Sequence, residues 1–319
     1  MKFNKAALMI FTIVFTLFFS PLHAQKKPGL EKTLKATYNL VPQHSKDTQY
    51  YEMRTKLNKH ASDGKIKDTE IYHLYLRCVP SNNPLQADEY TCLKFGVQIN
   101  GTAEVTIPSL TNWKYYFSIG VSNQENKELV FGIDHKKFEQ LKDENGKDLP
   151  VENTYHVYNA FIDFHSMSVF SEKTPNGIGV QDLKKIGDKV IHAASYTQPP
   201  VNLGSQVAAG SYFKNGEITL TFKGLSIVNE KTCALLEYDS GLSSFYMLMK
   251  PMPNMEVPTK GSSHYFGDIY KDLSGGWIQL ATLHEFVISE TNVPVLNNKI
   301  NGIIERTINI KNVRKFADE

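Results

Sequence analysis

Hydrophobic and polar residues alternate along residues 50–80 with the period of a β-strand that buries one face. The buried-face positions of the first half are Tyr51, Met53, Thr55 and Leu57. The dipeptide at residues 63–64, Asp-Gly, is typical of tight hairpin turns. A two-residue turn there pairs Met53 with Leu74, and this register brings the apolar positions of both strands onto one face. The pattern therefore predicts a long antiparallel hairpin.

Strand-like segments of this kind fall into two blocks, residues 33–150 and residues 187–319. Further strands of the first block are predicted at residues 34–41, 91–100, 103–107, 113–121 and 128–133. Strands of the second block are predicted at residues 189–194, 217–222, 232–238, 244–250, 264–270, 277–289 and 303–310. Near-sequential strands joined by short turns favour antiparallel meanders or half-barrels. The predicted fold class is mainly β (α+β), with two antiparallel β modules.

The segment between the blocks, residues 151–186, is predicted to be a helical connector. Residues 154–172 contain no Gly or Pro, and Asn153 before them is a good N-cap residue. Apolar residues cover most of this helix, so we expect it to be buried against the sheet. A narrow polar strip and the adjacent Tyr158 supply the candidates for a polar ligand pocket: His156, Tyr158, Asn159 and Asp163. A shorter helix, capped by Asp134, is predicted to run to Leu141.

The N-terminal residues 1–24 have the pattern of a secretory signal peptide. Two lysines form a charged start, residues 6–20 are predominantly apolar, and Ala24 precedes the expected cleavage site. The apolar run is shorter than a membrane-spanning helix requires. We therefore expect an exported bacterial protein, periplasmic or extracellular, with no stable membrane span after cleavage. Residues 25–32 are predicted to be a linker.

Charge and aromatic content narrow the classes of partner. The full chain has 35 Lys and Arg residues against 33 Asp and Glu residues, and cleavage would remove Lys2 and Lys5, leaving 33 of each. A balanced charge gives no general attraction to nucleic-acid phosphates or to anionic lipid surfaces. The 16 Tyr and 18 Phe residues are typical of sheets with half-buried aromatic faces. We expect no nucleic-acid partner.

Three cysteines bear on the oxidation state of an exported chain. Cys78 and Cys92 flank a turn-rich segment between two predicted strands. In an oxidising compartment a disulfide between them is predicted, and closing this loop would contribute about 3 kcal/mol of stability. The alternative is that both are reduced and buried. Cys233 lies in a predicted strand with no base nearby in the sequence, so we expect it to be buried and unreactive.

His264 and Glu285 form a second candidate binding site, across a predicted hairpin. A two-residue turn at residues 274–275 places His264 directly opposite Glu285, where the two side chains could exchange a proton. A turn at residues 275–276 places Glu285 opposite Phe266 instead. The sequence leaves both registers open.

The sequence contains none of the common local motifs of catalysis or cofactor binding. It has no His-Glu-x-x-His, Gly-x-Ser-x-Gly, Cys-x-x-Cys or Walker-type segment. We therefore predict no catalytic residues, no metal site and no cofactor.

The predicted architecture, meandering sheets around an apolar helix behind a signal peptide, is similar to that of bacterial periplasmic lipoprotein carriers with half-barrel sheets. This resemblance implies a concave sheet whose inward Tyr and Phe side chains hold an apolar or amphipathic ligand. The leading hypothesis is therefore a non-enzymatic binding or carrier protein. One alternative is a structural or interaction protein of the cell envelope, with an exposed aromatic patch or sheet edge. The other is a secreted hydrolase that uses dispersed carboxylate and His residues.

Overall fold

The computed structural model describes residues 28–83, 86–119, 129–199, 207–252, 254–294 and 298–316. The chain divides into two compact units, residues 1–36 and residues 37–319. The predicted signal peptide and the first three residues of the predicted linker lie outside the described residues. No helix in the described segments has the length and apolar character that crossing a membrane requires.

In the first unit, Pro28–Lys35 form helix α1. Pro28 stands in the first turn, where its missing N–H removes no helical hydrogen bond. Lys35 Nζ lies 2.7 Å from Glu31 Oε1, one turn away, which supports the helix further. The strand predicted at residues 34–41 is therefore wrong, because Leu34 and Lys35 are helical and residues 36–41 lie in no strand.

The second unit contains, among its described residues, 13 strands that pair into one antiparallel sheet. They are β1 (Gln49–His60), β2 (Ile66–Val79), β3 (Asp88–Ile99), β4 (Val105–Thr106), β5 (Trp113–Phe117), β6 (Lys189–Ile191), β7 (Tyr212–Lys214), β8 (Thr219–Val228), β9 (Lys231–Asp239), β10 (Ser243–Met252), β11 (Met255–Asp272), β12 (Ile278–Val293) and β13 (Asn298–Val313). The predicted mainly β fold class is confirmed.

The strand order along the sheet is β4-β3-β2-β1-β13-β12-β11-β9-β8-β6. Strand β5 pairs with β3, β10 with β11, and β7 with β10. Strand β1 pairs with β13 over eleven residue pairs, so both sequence blocks contribute to one continuous sheet. The division of the chain into modules at residues 33–150 and 187–319 stays a prediction about domain organisation.

Strands β1 and β2 pair in the predicted register, with Met53 opposite Leu74. The turn itself is one residue longer than predicted, because the backbone N–H of Ala61 donates to the carbonyl of Lys65. A β-bulge at residues 59–60 then shifts the register by one position. The two irregularities cancel, and the apolar face of the hairpin is preserved.

Two short segments of the first block differ from their predictions. The strand predicted at residues 128–133 is wrong over its described part, because residues 130–133 form a tight turn. Phe131 and Gly132 have φ values of 52° and 73°, which a strand excludes. The helix predicted after Asp134 is present but shorter, as a 3₁₀ helix over residues 135–138, with the Asp134 side chain accepting a hydrogen bond from the backbone of its first turn.

Helix α2 spans Val151–Ser171, which confirms the predicted connector helix. Its N-cap residue is Pro150, so the assignment of Asn153 as N-cap is wrong. Asn153 instead lies in the first turn, where it is buried and donates from Nδ2 to the Tyr72 hydroxyl at 2.9 Å. Because the amide has a partner in the sheet, it stabilises the docking of the helix rather than its start.

Aromatic side chains hold α2 against one face of the sheet, which we call the inner face; the opposite face is the outer face. Phe164 contacts Tyr51 of β1 with ring centroids 5.0 Å apart. Phe170 stacks on Tyr238 of β9 at 5.1 Å. Since three strands separate β1 from β9 in the sheet, the sheet curves around the helix. Burial of each such ring stabilises the fold by about 1.5–3 kcal/mol.

Candidate functional site

Two of the candidates on α2 have packing partners within the protein. Tyr158 is buried, and its ring lies edge-on to Phe138 at 5.3 Å. Asn159 interacts with the hydroxyl of Tyr155 on the same helix. These contacts account for both side chains without a ligand.

Two histidines of α2 are buried as neutral imidazoles. His156 Nε2 makes no hydrogen bond to any described residue and lies 4.0 Å from the Glu152 carboxylate. Burial lowers the pKa of His156 to about 4. His165 Nε2 lies 2.8 Å from the Tyr115 hydroxyl, and burial lowers the pKa of His165 to about 3. Both imidazoles are therefore neutral at pH 7, and neither carries the second ring proton of an imidazolium.

Asp163 and Glu285, both candidates from the sequence, meet at Arg306 of β13. Arg306 Nε donates to Glu285 Oε2 at 2.7 Å, and its Nη1 donates to Asp163 Oδ2. The Ser263 hydroxyl donates to the other oxygen of Glu285. Burial raises the pKa of Asp163 to about 6 although Arg306 opposes the shift. We call these three charged residues the Arg306 cluster; it ties α2 to β12 and β13.

His264 does not meet Glu285, and neither predicted register is correct, because Glu285 lies opposite Tyr265. A β-bulge at residues 270–271 shifts the pairing by one position between the turn and this site. Adjacent residues of a strand point to opposite faces, so His264 lies on the outer face and Glu285 on the inner face. His264 Nε2 lies 3.1 Å from Asp239 Oδ1 instead, with 42% of its side chain exposed.

Cys78 and Cys92 are free, and the predicted disulfide between them is wrong. In the β2–β3 register Cys78 pairs with Tyr90, and Cys92 pairs with Leu76. The cysteines are therefore diagonal neighbours, whose spacing of about 7–8 Å exceeds what a disulfide bridges. Cys233 is buried, as predicted, and burial raises its pKa to about 11.

A cavity of about 160 Å³ lies on the inner face at the C-terminal end of α2. Its aromatic walls come from four strands or loops and the helix: Tyr51, Tyr90, Phe117, Phe164 and Trp277. An apolar cavity of about 150 Å³ is large enough for benzene. The cavity therefore has room for one aromatic ring or a short aliphatic chain.

Two acidic side chains line this cavity in different electrostatic settings. Glu172 Oε1 lies 2.9 Å from Lys271 Nζ and 3.0 Å from His44 Nε2. Burial alone would raise the pKa of Glu172, but Lys271 and His44 hold it below its ordinary value. Asp88 Oδ1 accepts a hydrogen bond from the backbone of Ser81 at 2.8 Å, and burial raises the pKa of Asp88. Within the described residues Asp88 forms no ion pair.

A wider depression of about 670 Å³ opens to solvent on the outer face. It includes Ile288 and Ile303, which lie opposite each other on β12 and β13 and are 62% and 38% exposed. Phe286, on the same face of β12, is 49% exposed. These three residues form an apolar outer patch, in contrast to the smaller cavity on the inner face.

Asp88, Glu172 and Arg306 carry no local sequence signal, because the fold brings them to the inner face from distant positions. Trp277 did carry a signal, since it is one of only two tryptophans and follows the glycines of a turn. Among the described residues, no group of three or more His, Cys, Asp or Glu side chains is arranged to hold a metal ion.

No protein-family model matches the sequence, and no curated protein matches it.

Proposed function

We propose that this chain is an exported, non-enzymatic binding protein whose inner-face cavity holds a small amphipathic ligand. The observation that carries the proposal is the lining of the cavity, which combines aromatic side chains with two acidic side chains, Asp88 and Glu172. Small-molecule sites are typically lined in this way, by apolar surface with a few polar groups that fix orientation. Perturbed pKa values at Asp88 and Glu172 are also typical of functional sites.

The volume of the cavity limits the ligand. Helix α2 occupies the middle of the inner face, as the aromatic contacts of Phe164 and Phe170 show. Space remains at its C-terminal end, where the cavity measures about 160 Å³. A ligand with one ring or one short chain fits this space, whereas a lipid with long acyl chains would have to displace the helix.

Thermal unfolding in the presence of single-ring and short-chain amphiphiles tests this proposal. A ligand at 100 times its dissociation constant stabilises the folded state by about 2.7 kcal/mol, which raises the melting temperature measurably. Ser168 lines the cavity, so Ser168→Phe should fill it and abolish the stabilisation. Ser62→Phe, at an exposed position of the β1–β2 turn, is the matched control and should retain it. Equal stabilisation of the Ser168→Phe variant would contradict the proposal.

The second candidate function is that of an envelope interaction protein, and the exposed outer patch favours it. Exposed apolar patches on soluble proteins commonly mark interaction sites. Ile288→Lys should then release a partner that copurifies with the wild-type protein from its native source. Ile227→Lys, at a position that is 68% exposed at the far end of β8, is the control and should not.

The hydrolase alternative loses its motivating pair, because His264 and Glu285 lie on opposite faces of the sheet. The remaining candidate carboxylates, Asp163 and Glu285, are both bound by Arg306.

A further inference from the structure

The aromatic walls of the cavity stand close to one another around a small space. The Phe164 ring lies 5.0 Å from that of Tyr51 and 6.1 Å from that of Tyr90, between ring centroids. Phe117 lies 6.5 Å from Tyr90. Trp277 completes the lining, and its indole packs against the His44 imidazole at 4.0 Å. A ligand atom in this cavity is therefore within reach of several π systems at once.

The charges around the cavity are matched at Glu172 and unmatched at Asp88. Lys271, whose side chain is fully buried, lies against Glu172 and balances it. Asp88 receives one backbone hydrogen bond, from Ser81, and the described residues give it no ion-pair partner. Lys173 also lines the cavity, but its side chain belongs to an exposed residue and can remain in solvent. His44 and Lys46 lower the pKa of Asp88 from a greater distance, so Asp88 is an acidic group of the cavity whose ion-pair position is open among the described residues.

Aromatic faces and an unmatched carboxylate attract the same kind of group. The ring quadrupole of Tyr, Phe and Trp binds cations within about 6 Å of the ring centroid, most strongly when the cation has lost its water. A half-buried carboxylate with no ion-pair partner adds Coulomb attraction in a medium less polar than water. A neutral ligand of the same shape would use neither.

We propose that the ligand of this cavity is an organic cation, an ammonium or quaternary ammonium group that sits among Tyr51, Tyr90, Phe164 and Trp277 with Asp88 as its counter-ion. This inference rests on the proposed function, since it names the chemical class of ligand for the same cavity. The ligand size follows from the 160 Å³ of space, which suits a head group of a few methyl or methylene units.

The test compares choline with 3,3-dimethyl-1-butanol, its neutral isostere, by isothermal titration calorimetry on the full chain. The two probes have the same shape and differ in the charge of one central atom. We expect choline to bind at least about tenfold more tightly, because each cation–π contact and the Asp88 carboxylate act on the charge alone. Sodium chloride at equal ionic strength serves as the reference titrant.

Substitutions at two neighbouring carboxyl groups locate the effect. Asp88→Asn keeps the oxygen that accepts the Ser81 hydrogen bond and removes the charge, so choline affinity should fall about tenfold or more. Glu89→Gln is the matched control, because Glu89 binds Lys114 and Tyr116 and is not part of the cavity lining. Circular dichroism of both variants shows that the fold is retained.

Each outcome decides the inference. Tight choline binding that is lost in Asp88→Asn and kept in Glu89→Gln supports it. Equal binding of choline and the neutral alcohol overturns the proposal that the ligand is a cation. The cavity is then a binding site for neutral amphiphiles. Absence of choline binding also overturns the proposal that the ligand is a cation. The proposed binding function is then tested separately, by comparing the thermal stabilisation of wild type and Ser168→Phe with the single-ring and short-chain amphiphiles.

Discussion

Two regions of the inner face contain buried or half-buried carboxylates, and these carboxylates differ in their ion-pair partners. In the Arg306 cluster, Asp163 and Glu285 share one guanidinium, and the three side chains are only 10–15% exposed. At the cavity, Asp88 has a backbone hydrogen bond but no ion-pair partner among the described residues, and His44 and Lys46 act on it only from a greater distance. In the first region both carboxylates are bound by a cation of the protein, whereas in the second the ion-pair position of Asp88 is left for a ligand that enters the cavity.

This difference separates buried charges that link elements of the fold, as in the Arg306 cluster, from a carboxylate such as Asp88 that is available to a ligand. A buried ion cluster adds little net stability, because desolvation offsets most of the Coulomb gain. Burial accordingly raises the pKa of Asp163 even beside Arg306. The value of the cluster to the protein is that it fixes α2 against β12 and β13. A carboxylate without an ion pair beside aromatic walls does not link elements of the fold in this way, so we expect its partner to be a ligand.

Removing Arg306 should have the largest effect. Arg306→Met leaves Asp163 and Glu285 buried without a counter-charge, so the free energy of unfolding should fall by about 3–5 kcal/mol, measured by urea denaturation at pH 7. Arg54→Met, at an exposed position of β1, is the control and should change it by less than about 0.5 kcal/mol. A small effect at Arg306 would mean that the cluster does not hold the helix.

Acid should destabilise the protein through its buried imidazoles, and this is the next largest effect. The pKa of His165 is lowered to about 3 by burial, so the unfolded state binds more protons than the folded state between pH 6.5 and pH 3. Stability therefore falls as pH falls through this window, by roughly 3 kcal/mol at pH 4 from this residue.

Urea midpoints measured between pH 7 and pH 4 check this sign. His165→Phe should show a shallower loss than wild type, although it costs stability at pH 7 because the Tyr115 hydroxyl loses its partner. A wild-type slope in His165→Phe would contradict the assignment.

The smallest expected effect is a gain. Burial raises the pKa of Asp88, so its ionised form is disfavoured in the folded state and its contribution to stability falls as pH rises above the ordinary value. Asp88→Asn should therefore raise the unliganded melting temperature slightly at pH 7, corresponding to less than about 1 kcal/mol. Glu89→Gln should lower it slightly, because its Lys114 ion pair is lost. A loss of stability in Asp88→Asn would show that this carboxylate serves the fold.

Local pattern was sufficient for α2 and for most strands, although not at residues 34–41 and 128–133, and it gave the correct β1–β2 register only by coincidence. Alternation identified the β1–β2 pairing because the longer turn and the bulge at residues 59–60 cancel. In β11–β12 the bulge at residues 270–271 has no such counterpart, and the pairing of His264 shifts by one. Bulges depend on how the whole sheet twists and closes, which a short sequence window does not contain.

The candidate site was less predictable than the fold, for a similar reason. Asp163 and Glu285 were identified as polar positions, but their common partner Arg306 reaches them through the pairing of β13 with β1 and β12, across the length of the chain. The cavity likewise combines Asp88, Glu172 and Trp277, which no spacing rule connects. The predicted disulfide failed because loop length alone does not tell whether two cysteines are opposite or diagonal.

Native mass spectrometry of the protein purified from its own source tests the central claim most directly. We expect a bound small molecule in the wild-type protein, released on denaturation, and an unliganded mass for Ser168→Phe prepared in parallel. The extracted mass also shows whether the molecule carries a permanent positive charge. An unliganded wild-type mass, or the same bound molecule in both proteins, would contradict a ligand-binding cavity at the C-terminal end of α2.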